Sequence, residues 1–371
     1  MSTSPDINIC DAAIYRDGGI LRGLLDRIAS VATRPWRIME VCGGQTFTLS
    51  RYRIEELLPP GIEMVHGPGC PVCVTPAHII DEAVEIAMRP DVILCSFGDM
   101  LRVPGSKSSL LRAKAAGADV RILYSPLDSL KIAADNPDRQ VVFFAIGFET
   151  TTPSYALLAQ KTVQAGIANL SLLTSLFTVP AAVEAIKNDS ECAVDALLAA
   201  GHVCAITGTG QYESLARRFN MPVIITGFEP ADMLLGILNA VEMLEAGTSG
   251  VRNAYARVVA DAGNVTAIRR VAEVFEHCPN EWRGIGTICN GGMKLRKEYE
   301  HLDAHARFNL KTDAVRHTIE HEGCIAGKIM KGLAKPCDCK LFACRCTPAS
   351  PEGAPMVSAE GVCAAYYRYR L

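Results

Sequence analysis

Eight short apolar runs, alternating with helical patterns, constrain this chain more than any other feature. They fall at residues 37–41, 62–66, 92–97, 120–124, 141–146, 170–174, 203–207 and 223–226. Apolar runs of this length without polar alternation are what strands buried on both faces look like. Helical stretches near 50–58, 76–89, 108–116, 153–166, 180–188, 211–219 and 230–246 supply the covering layers. Strand–helix alternation of this kind predicts a doubly wound parallel α/β architecture. The runs divide into two similar four-stranded halves joined near residues 125–139. Within the second half, Gly147-Phe148-Glu149-Thr150 is echoed by Gly227-Phe228-Glu229-Pro230, each closing a strand and opening a helix. Upstream, residues 11–33 read as an amphipathic helix with Ile14, Leu21, Leu24, Leu25 and Ile28 on one face and Pro35 as its stop. Beyond Gly247 the pattern predicts a helix over 253–277, a Gly291-Gly292 turn and a charged helical stretch over 294–308. The final 50 residues lack periodicity and are dense in Cys, Pro and Gly. Such a segment buries little apolar surface alone, so a bound metal is its natural organiser.

A chain of 371 residues is long enough for two or three domains and buries about 75% of its unfolded surface, so it needs no disulfide staples. A net charge of −3 and a pI near 6.3 leave no basic footprint, which argues against nucleic acid and anionic membranes as partners. The first ten residues are polar and no apolar run reaches membrane-spanning length, so a cytoplasmic protein with reduced thiols is expected. Fifteen cysteines in that compartment point to metal or redox chemistry. Five of them, Cys337, Cys339, Cys344, Cys346 and Cys363, crowd the last 35 residues. The scattered Cys10, Cys95, Cys192, Cys204 and Cys278 read instead as small buried hydrophobes.

Three cysteine groups carry the candidate chemistry. The stretch from Met64 to Pro76 runs from a strand through Gly67-Pro68-Gly69 and Cys70-Pro71-Val72-Cys73 to a helix start, with Thr75 as expected N-cap and Pro76 at the first helical position. Thiols at a helix amino end are favoured as thiolates, with a pKa expected to fall from about 8.5 into the range 3.5–7.5. Cys70 and Cys73 form a dithiol redox couple or half of a metal site. The redox reading is favoured because no second CxxC completes a zinc set and because Pro71 stiffens the turn between the sulfurs. Cys42, in Val41-Cys42-Gly43-Gly44-Gln45-Thr46, closes the first expected strand, at the sheet edge where open α/β folds bind ligands; nucleophile, metal ligand and plain strand-end cysteine all remain open for it. The carboxyl-terminal cysteines, with C-x-C pairs and wide gaps, suit an iron–sulfur cluster better than a zinc knuckle. Glu149 stands beside a helix amino end, either to hold an anion or a partner or as part of a cap. Residues 98–108 resemble a phosphate loop without meeting the spacing of G-x-x-x-x-G-K-[ST], so no ATP site is assigned. His66 and His202 read as structural histidines.

The motifs Met39-Glu40-Val41-Cys42-Gly43-Gly44, Gly67-Pro68-Gly69-Cys70-Pro71-Val72-Cys73, Phe97-Gly98-Asp99-Met100-Leu101-Arg102-Val103-Pro104-Gly105-Ser106 and Gly147-Phe148-Glu149-Thr150-Thr151, with the Cys-rich tail, resemble the hydrogenase-maturation HypD family nearly end to end. The resemblance implies an accessory factor for [NiFe] hydrogenase assembly, a scaffold with redox activity rather than a conventional turnover enzyme. With a HypC-type small partner it would hold iron while cyanide and carbon monoxide ligands are added, a HypE-type protein donating the cyanide. The finished Fe(CN)2CO unit would pass to the hydrogenase large subunit. By position, Cys42 would anchor the iron and Cys70 and Cys73 would be the redox pair. Cys324, Cys339, Cys346 and Cys363 would hold a [4Fe-4S] cluster, with Cys337 and Cys344 as extra thiols. Ala326 and Pro355 stand where some relatives carry cysteines, and Gln45 and Phe47 where many carry a histidine, so no role for that histidine transfers.

The architecture implied is two similar doubly wound parallel-sheet domains, residues 35–125 and 126–250, and a Cys-rich iron–sulfur domain, residues 251–371, with an N-terminal helical segment, residues 1–34, packed on it. A relay is expected from the cluster through Cys70 and Cys73 to the iron, or to its ligand precursor, at Cys42. It requires the three groups to converge, with Cys70 within about 15 Å of Cys42. The competing reading is an iron–sulfur thiol–disulfide oxidoreductase acting on a small or protein disulfide, with Cys42 as resolving thiol.

Overall fold

The computed structural model describes residues 13–310 and 322–371, so Cys10 lies outside it. Among the described residues the chain builds two sheets. The first is wholly parallel and contains β1 (Trp36–Glu40), β2 (Ile62–His66), β7 (Ala196–Ala200), β8 (Pro222–Thr226) and β9 (Gly250–Asn253), in the order β2-β1-β7-β8-β9. The second has the order β10-β11-β6-β5-β3-β4. Its strands β3 (Val92–Ser96), β4 (Val120–Ile122), β5 (Gln140–Gly147) and β6 (Leu170–Phe177) are parallel. The hairpin of β10 (Phe275–Trp282) and β11 (Gly286–Leu295) is added antiparallel through Gly292 and Phe177. Strands β3, β7 and β8 are buried along their whole length, as unbroken apolar runs require. A core of Met39, Val65, Leu197 and Val223 from the first sheet with Phe148, Phe177 and Trp282 joins the two lobes.

The α/β class with parallel sheets is as expected, but the strands are shared out differently. The chain leaves the first sheet after β2, builds β3 to β6 of the second, and returns at β7. Residues 35–125 and 126–250 are therefore not two contiguous sheet lobes. Apolar periodicity reports that a strand is buried, not which strand it lies beside. Pairing here is set by contacts across the fold, such as Ile38 opposite Ala196 and the Arg37 N–H donating to Asp195 at 2.8 Å.

Two further expectations are corrected. Residues 203–207 belong to the helix Gly201–Thr207, and the strand is the preceding apolar run, β7. The run 253–277 is divided among the end of β9, the helix Val265–Val274 capped by Asn264, and the start of β10. Gly291-Gly292 lies inside β11 rather than in a turn. A Cβ on Gly292 would come 2.5 Å from the Leu176 carbonyl, so that glycine serves strand contact.

The N-terminal helix Gly18–Val31 starts where Asp17 accepts from the N–H groups of Gly19 and Ile20. Among the described residues its main contact is not the Cys-rich tail but the helix Pro230–Glu245. Its stripe of Leu21, Leu24, Leu25 and Ile28 joins Leu238, Val241 and Leu244 of the helix Pro230–Glu245, beneath the first sheet. Glu245 accepts from Thr33 and from the Trp36 indole N–H, fixing the link into β1. The apolar flank of Pro230–Glu245 offers the N-terminal stripe more burial than the polar, Cys-rich tail can.

Residues 322–371 form short turns and the helices Ala326–Met330 and Val362–Tyr369, tied to both lobes. Arg37 donates to the Gly332 carbonyl at 2.8 Å, and Arg102 to that of Val357 at 2.7 Å. No described helix is long and apolar enough to cross a membrane. Replacing the fully buried Ile28 by Ala is expected to cost about 2–4 kcal/mol, whereas Ile20→Ala, 43% exposed on the same helix, stays within about 0.5 kcal/mol. Urea midpoints of the two variants measure this, and equal shifts would mean that the helix is not docked as described.

Candidate functional site

Four neighbouring parallel strands of the first sheet end at the same edge, and each delivers one part of the site. β1 runs into Cys42, β2 into Gly67–Cys70, β7 into Gly201-His202 and β8 into Gly227-Phe228. The chain continues from β1 to β2 on one side and from β7 to β8 on the other, so Cys42 and His202 flank the switch point at which open α/β sheets form a crevice. Cys42 is the N-cap of the helix Gly43–Arg51, and its Sγ lies 3.7 Å from His202 Nδ1. The imidazole tilts against Phe228, with ring centroids 5.1 Å apart. Burial pushes the Cys42 thiol above its ordinary range and pulls His202 down to about 4, so at neutral pH a protonated thiol faces a neutral imidazole. The structural reading of His202 is therefore corrected: its place beside Cys42 makes it part of the site.

The Gly67-Pro68-Gly69 turn packs backbone to backbone on Cys42. Gly43 N–H donates to the Gly69 carbonyl at 2.9 Å, and Gly67 N–H to that of Glu40 at 2.7 Å. A Cβ on Gly69 would stand 2.5 Å from the Cα and N of Cys42, which excludes every other residue type without a shift of the turn. The Gly43–Gly69 bond brings the Cα atoms of Cys42 and Cys70 within about 8 Å of each other by covalent reach. That satisfies the distance the relay requires.

Cys70 caps the single turn Pro71–Val74, which holds Cys73. Thr75 is not the N-cap of the following helix but the C-cap of Pro71–Val74, its hydroxyl donating to the Pro71 carbonyl at 2.9 Å, and Pro76 takes the N-cap of Ala77–Ala87. The expectation of lowered thiol pKa values is overturned for Cys73. Burial comes first in pushing its thiol well up, with Cys70, Cys363 and Glu360 adding to the effect. A one-turn helix has too small a dipole to offset desolvation of a group that is 3% exposed.

Cys324, Cys339, Cys346 and Cys363 line one cavity, closed by Ile329, Leu341, Phe342 and Met356. Cys337 and Cys344 are exposed and absent from that lining, while Ala326 and Pro355 belong to it. Burial first, then Cys324, Cys346, Cys339 and Cys337, push the Cys363 thiol upward. Among the described residues no three His, Cys, Asp or Glu side chains close on a single-ion site. A second cavity is bounded by Thr46, Gly69, Cys70 and Cys73 on one side and by Pro355 and Glu360 on the other. Pro355 is thus a wall of both cavities, and the three thiol groups converge. Glu360, against which Gly43 packs too closely to bear a Cβ, has its carboxyl pushed up by burial and then by Asp99. Of the scattered cysteines, Cys95 and Cys204 are buried as expected, and Cys192 and Cys278 are half-buried.

A buried ionic network supports this edge. Glu40, fully buried at the end of β1, accepts from the Cys42 N–H at 2.8 Å and from the Thr46 hydroxyl, and it pairs with His66 Nδ1 at 2.7 Å. His66 Nε2 meets Tyr366 at 3.0 Å and Glu55 at 3.2 Å, and Arg370 pairs with Glu55 at 2.7 Å. Burial acts to lower the pKa of His66, yet Glu40 and Glu55 together raise it to about 9, so the ring is an imidazolium. For Glu55, burial opposes ionisation, but His66, Arg370 and Lys335 outweigh it and hold the carboxyl at about 2. His66 is structural, as expected. The sequence clue to its partner was Glu40, a charged residue directly after the apolar Ile38-Met39 at the end of β1.

Because the folded pKa of His66 lies above its ordinary 6.5, its contribution is full below pH 6.5 and is lost as pH rises through 9. Glu55 is shifted the other way, and its contribution is full above about 4.5 and lost as pH falls toward 2. Urea midpoints are therefore expected to fall between pH 6.5 and 9, and His66→Gln should flatten that fall; an unchanged slope in the variant would assign it to other groups.

The family model described as Hydrogenase formation hypA family, HypD, matches residues 20–370. The chain is similar to hydrogenase maturation factor HypD of Rhodobacter capsulatus, at 45% identity over 367 residues, 96% of this chain and 97% of that one. It is 44% identical to HypD of Escherichia coli (strain K12) over 353 residues, 94% and 93% of the two chains. It is also 44% identical to HypD of Azotobacter vinelandii over 364 residues, 96% and 95% of the two chains. With its thiol motifs gathered at one sheet edge and a family match spanning nearly its full length, the chain belongs to the HypD family.

Proposed function

We propose that this chain is a hydrogenase maturation factor that holds an iron atom at Cys42 while its cyanide and carbon monoxide ligands are acquired. The observation that carries the reading is convergence: the Gly43–Gly69 hydrogen bond ties Cys42 to the Cys70 turn, and the cavity lined by Cys70 and Cys73 shares Pro355 as a wall with the four-cysteine cavity. Low-spin iron with such ligands suits soft thiolate donors. Iron binding at Cys42 must displace the thiol proton, and the neutral His202 imidazole, 3.7 Å away, is placed to accept it. Cys70 and Cys73 store two electrons. Closing their disulfide would pass two electrons to the iron or its ligand precursor at Cys42 and release two protons into the cavity that Glu360 lines, and two one-electron steps from the cluster would restore the dithiol.

The four thiols of Cys324, Cys339, Cys346 and Cys363 fit a [4Fe-4S] cluster, since they surround a hollow rather than a point and the exposed Cys337 and Cys344 stand outside it. Such a cluster would supply one-electron transfer beside Cys73. A HypC-type small protein contributing a second thiolate, a HypE-type cyanide donor and the hydrogenase large subunit are the partners in this reading. A ligand set split between two proteins opens by dissociation. The alternative, a thiol–disulfide oxidoreductase, fits less well, because Cys70 and Cys73 are each 3% exposed and a protein disulfide cannot reach them without rearrangement.

Infrared spectroscopy of the protein isolated without oxygen together with its small partner tests the reading. Cyanide and carbonyl bands are expected in the wild type and absent in Cys42→Ala, which should keep the visible absorption at about 400 nm typical of a cluster. Loss of bands and colour together in that variant would show that the ligand sets are misassigned. The converse series checks the cluster ligands: Cys324→Ala should bleach the visible absorption, whereas Cys337→Ala and Cys344→Ala should leave it in place.

A further inference from the structure

At the carboxyl end of β5 the chain turns through Gly147 and Phe148 and buries Glu149, which is 5% exposed. Its Oε1 accepts the Val179 N–H at 2.9 Å, at the start of the helix Val179–Lys187. Its Oε2 has no hydrogen-bond partner among the described residues. Buried polar atoms in folded proteins are nearly always paired, so an orphan carboxyl oxygen calls for a partner. Glu149 lines a cavity of about 770 Å³, within the range of small-molecule sites, roughly 300–1,000 Å³. None of the thiols discussed above contributes to it.

Ile206, Leu215, Val271, Phe275 and Met293 build an apolar stretch of the wall, while the half-buried Glu184, Glu276 and Arg296 bring charge to the rest of the lining. Gln211 also lines it; its amide donates to the Cys204 sulfur, and the buried amide nitrogen has no nitrogen or oxygen partner among the described residues, which leaves its second N–H for a ligand. Glu149 and Gln211 both lie close enough to Cys204 to act on its thiol, so they stand at the same end of the cavity. The exposed Ser214 and His277 belong to its rim. An apolar chamber with a few convergent polar groups at one end is the usual form of a site for a small organic molecule.

We propose that this cavity binds a small neutral carboxamide. The apolar body of the ligand fills the chamber, its N–H donates to Glu149 Oε2, and its carbonyl oxygen accepts from the Gln211 amide. An ammonium group satisfies only the carboxyl oxygen, and a carboxylate reaches Gln211 but meets like charge at Glu149 whenever that carboxyl is ionised. Burial also raises the Glu149 carboxyl to about 7, an environment that favours an uncharged ligand group.

The test uses the full chain kept without oxygen, titrated with benzamide, benzylamine and benzoate and followed by ligand-observed NMR and calorimetry. Benzamide is expected to bind saturably and at least tenfold more tightly than the other two. Glu149→Leu should weaken it at least tenfold. Ala181→Phe, which narrows the chamber from a half-buried wall position and leaves the Glu149 cap intact, should do the same even if the first variant folds poorly. Benzylamine or benzoate binding as tightly as benzamide would overturn the carboxamide assignment. Absence of saturable benzamide binding, or binding that survives the wall variant, would overturn the site. These readouts do not depend on iron at Cys42, so their failure is distinct from failure of the maturation reading.

Discussion

A single buried carboxylate, Glu40, organises the thiol-bearing edge of this molecule. It closes a strand otherwise made to be dry, and its oxygens are divided among His66, Thr46 and the amide of Cys42. A charge in that position is tolerable only when fully paired, and removing one partner of a buried pair typically costs about 3–5 kcal/mol. The pairing therefore couples three elements. β1 supplies Glu40, β2 supplies His66, and the final helix supplies Tyr366, with Arg370 beyond its end reaching Glu55. The Cys-rich tail is held against the sheet by these polar contacts as much as by its modest apolar cluster of Ile329, Met356 and Tyr366.

That arrangement sets the chemistry available to the thiols. Three nearly inaccessible sulfurs, on Cys42, Cys70 and Cys73, sit at this edge, and burial opposes ionisation of the Cys42 and Cys73 thiols. Thiols in such surroundings are inert until something neutralises the developing charge, whether a metal cation or a proton acceptor such as His202. A dry site of this kind disfavours casual exchange with solvent disulfides. The glycines at 67 and 69 make the geometry possible, because side chains there would hold the Cys70 turn away from Cys42.

Much of this was legible in the residues and some was not, for identifiable reasons. Seven of the eight apolar runs are strands close to their expected places, and the four cavity-lining cysteines were picked out by resemblance. The exception, residues 203–207, shows the ambiguity of short apolar segments: Ala196–Ala200 and the helix after it are equally apolar, and length alone does not separate them. The place of His202 beside Cys42 was invisible because it depends on β7 lying next to β1, a pairing across the whole second lobe. The raised thiol pKa values were missed because motif reasoning weighs the helix end, whereas desolvation depends on everything packed above it. The orphan oxygen of Glu149 was equally hidden, since Val179, which engages its other oxygen, comes from a different strand-to-helix connection.

The interleaving of the sheets bears on how the molecule is made. Arg37 and Asp195, which lock β1 to β7, are 158 positions apart, so the centre of the first sheet stays half-built until Ala200, past the middle of the 371-residue chain, has been synthesised. Until then β1 and β2 present an open, apolar edge on which other chains can pair. Contacts this distant in sequence also slow folding, because a long loop must close before they form. Assembly of the thiol crevice is thus a late event in the life of each new copy, and the two lobes are expected to mature together rather than as separable halves.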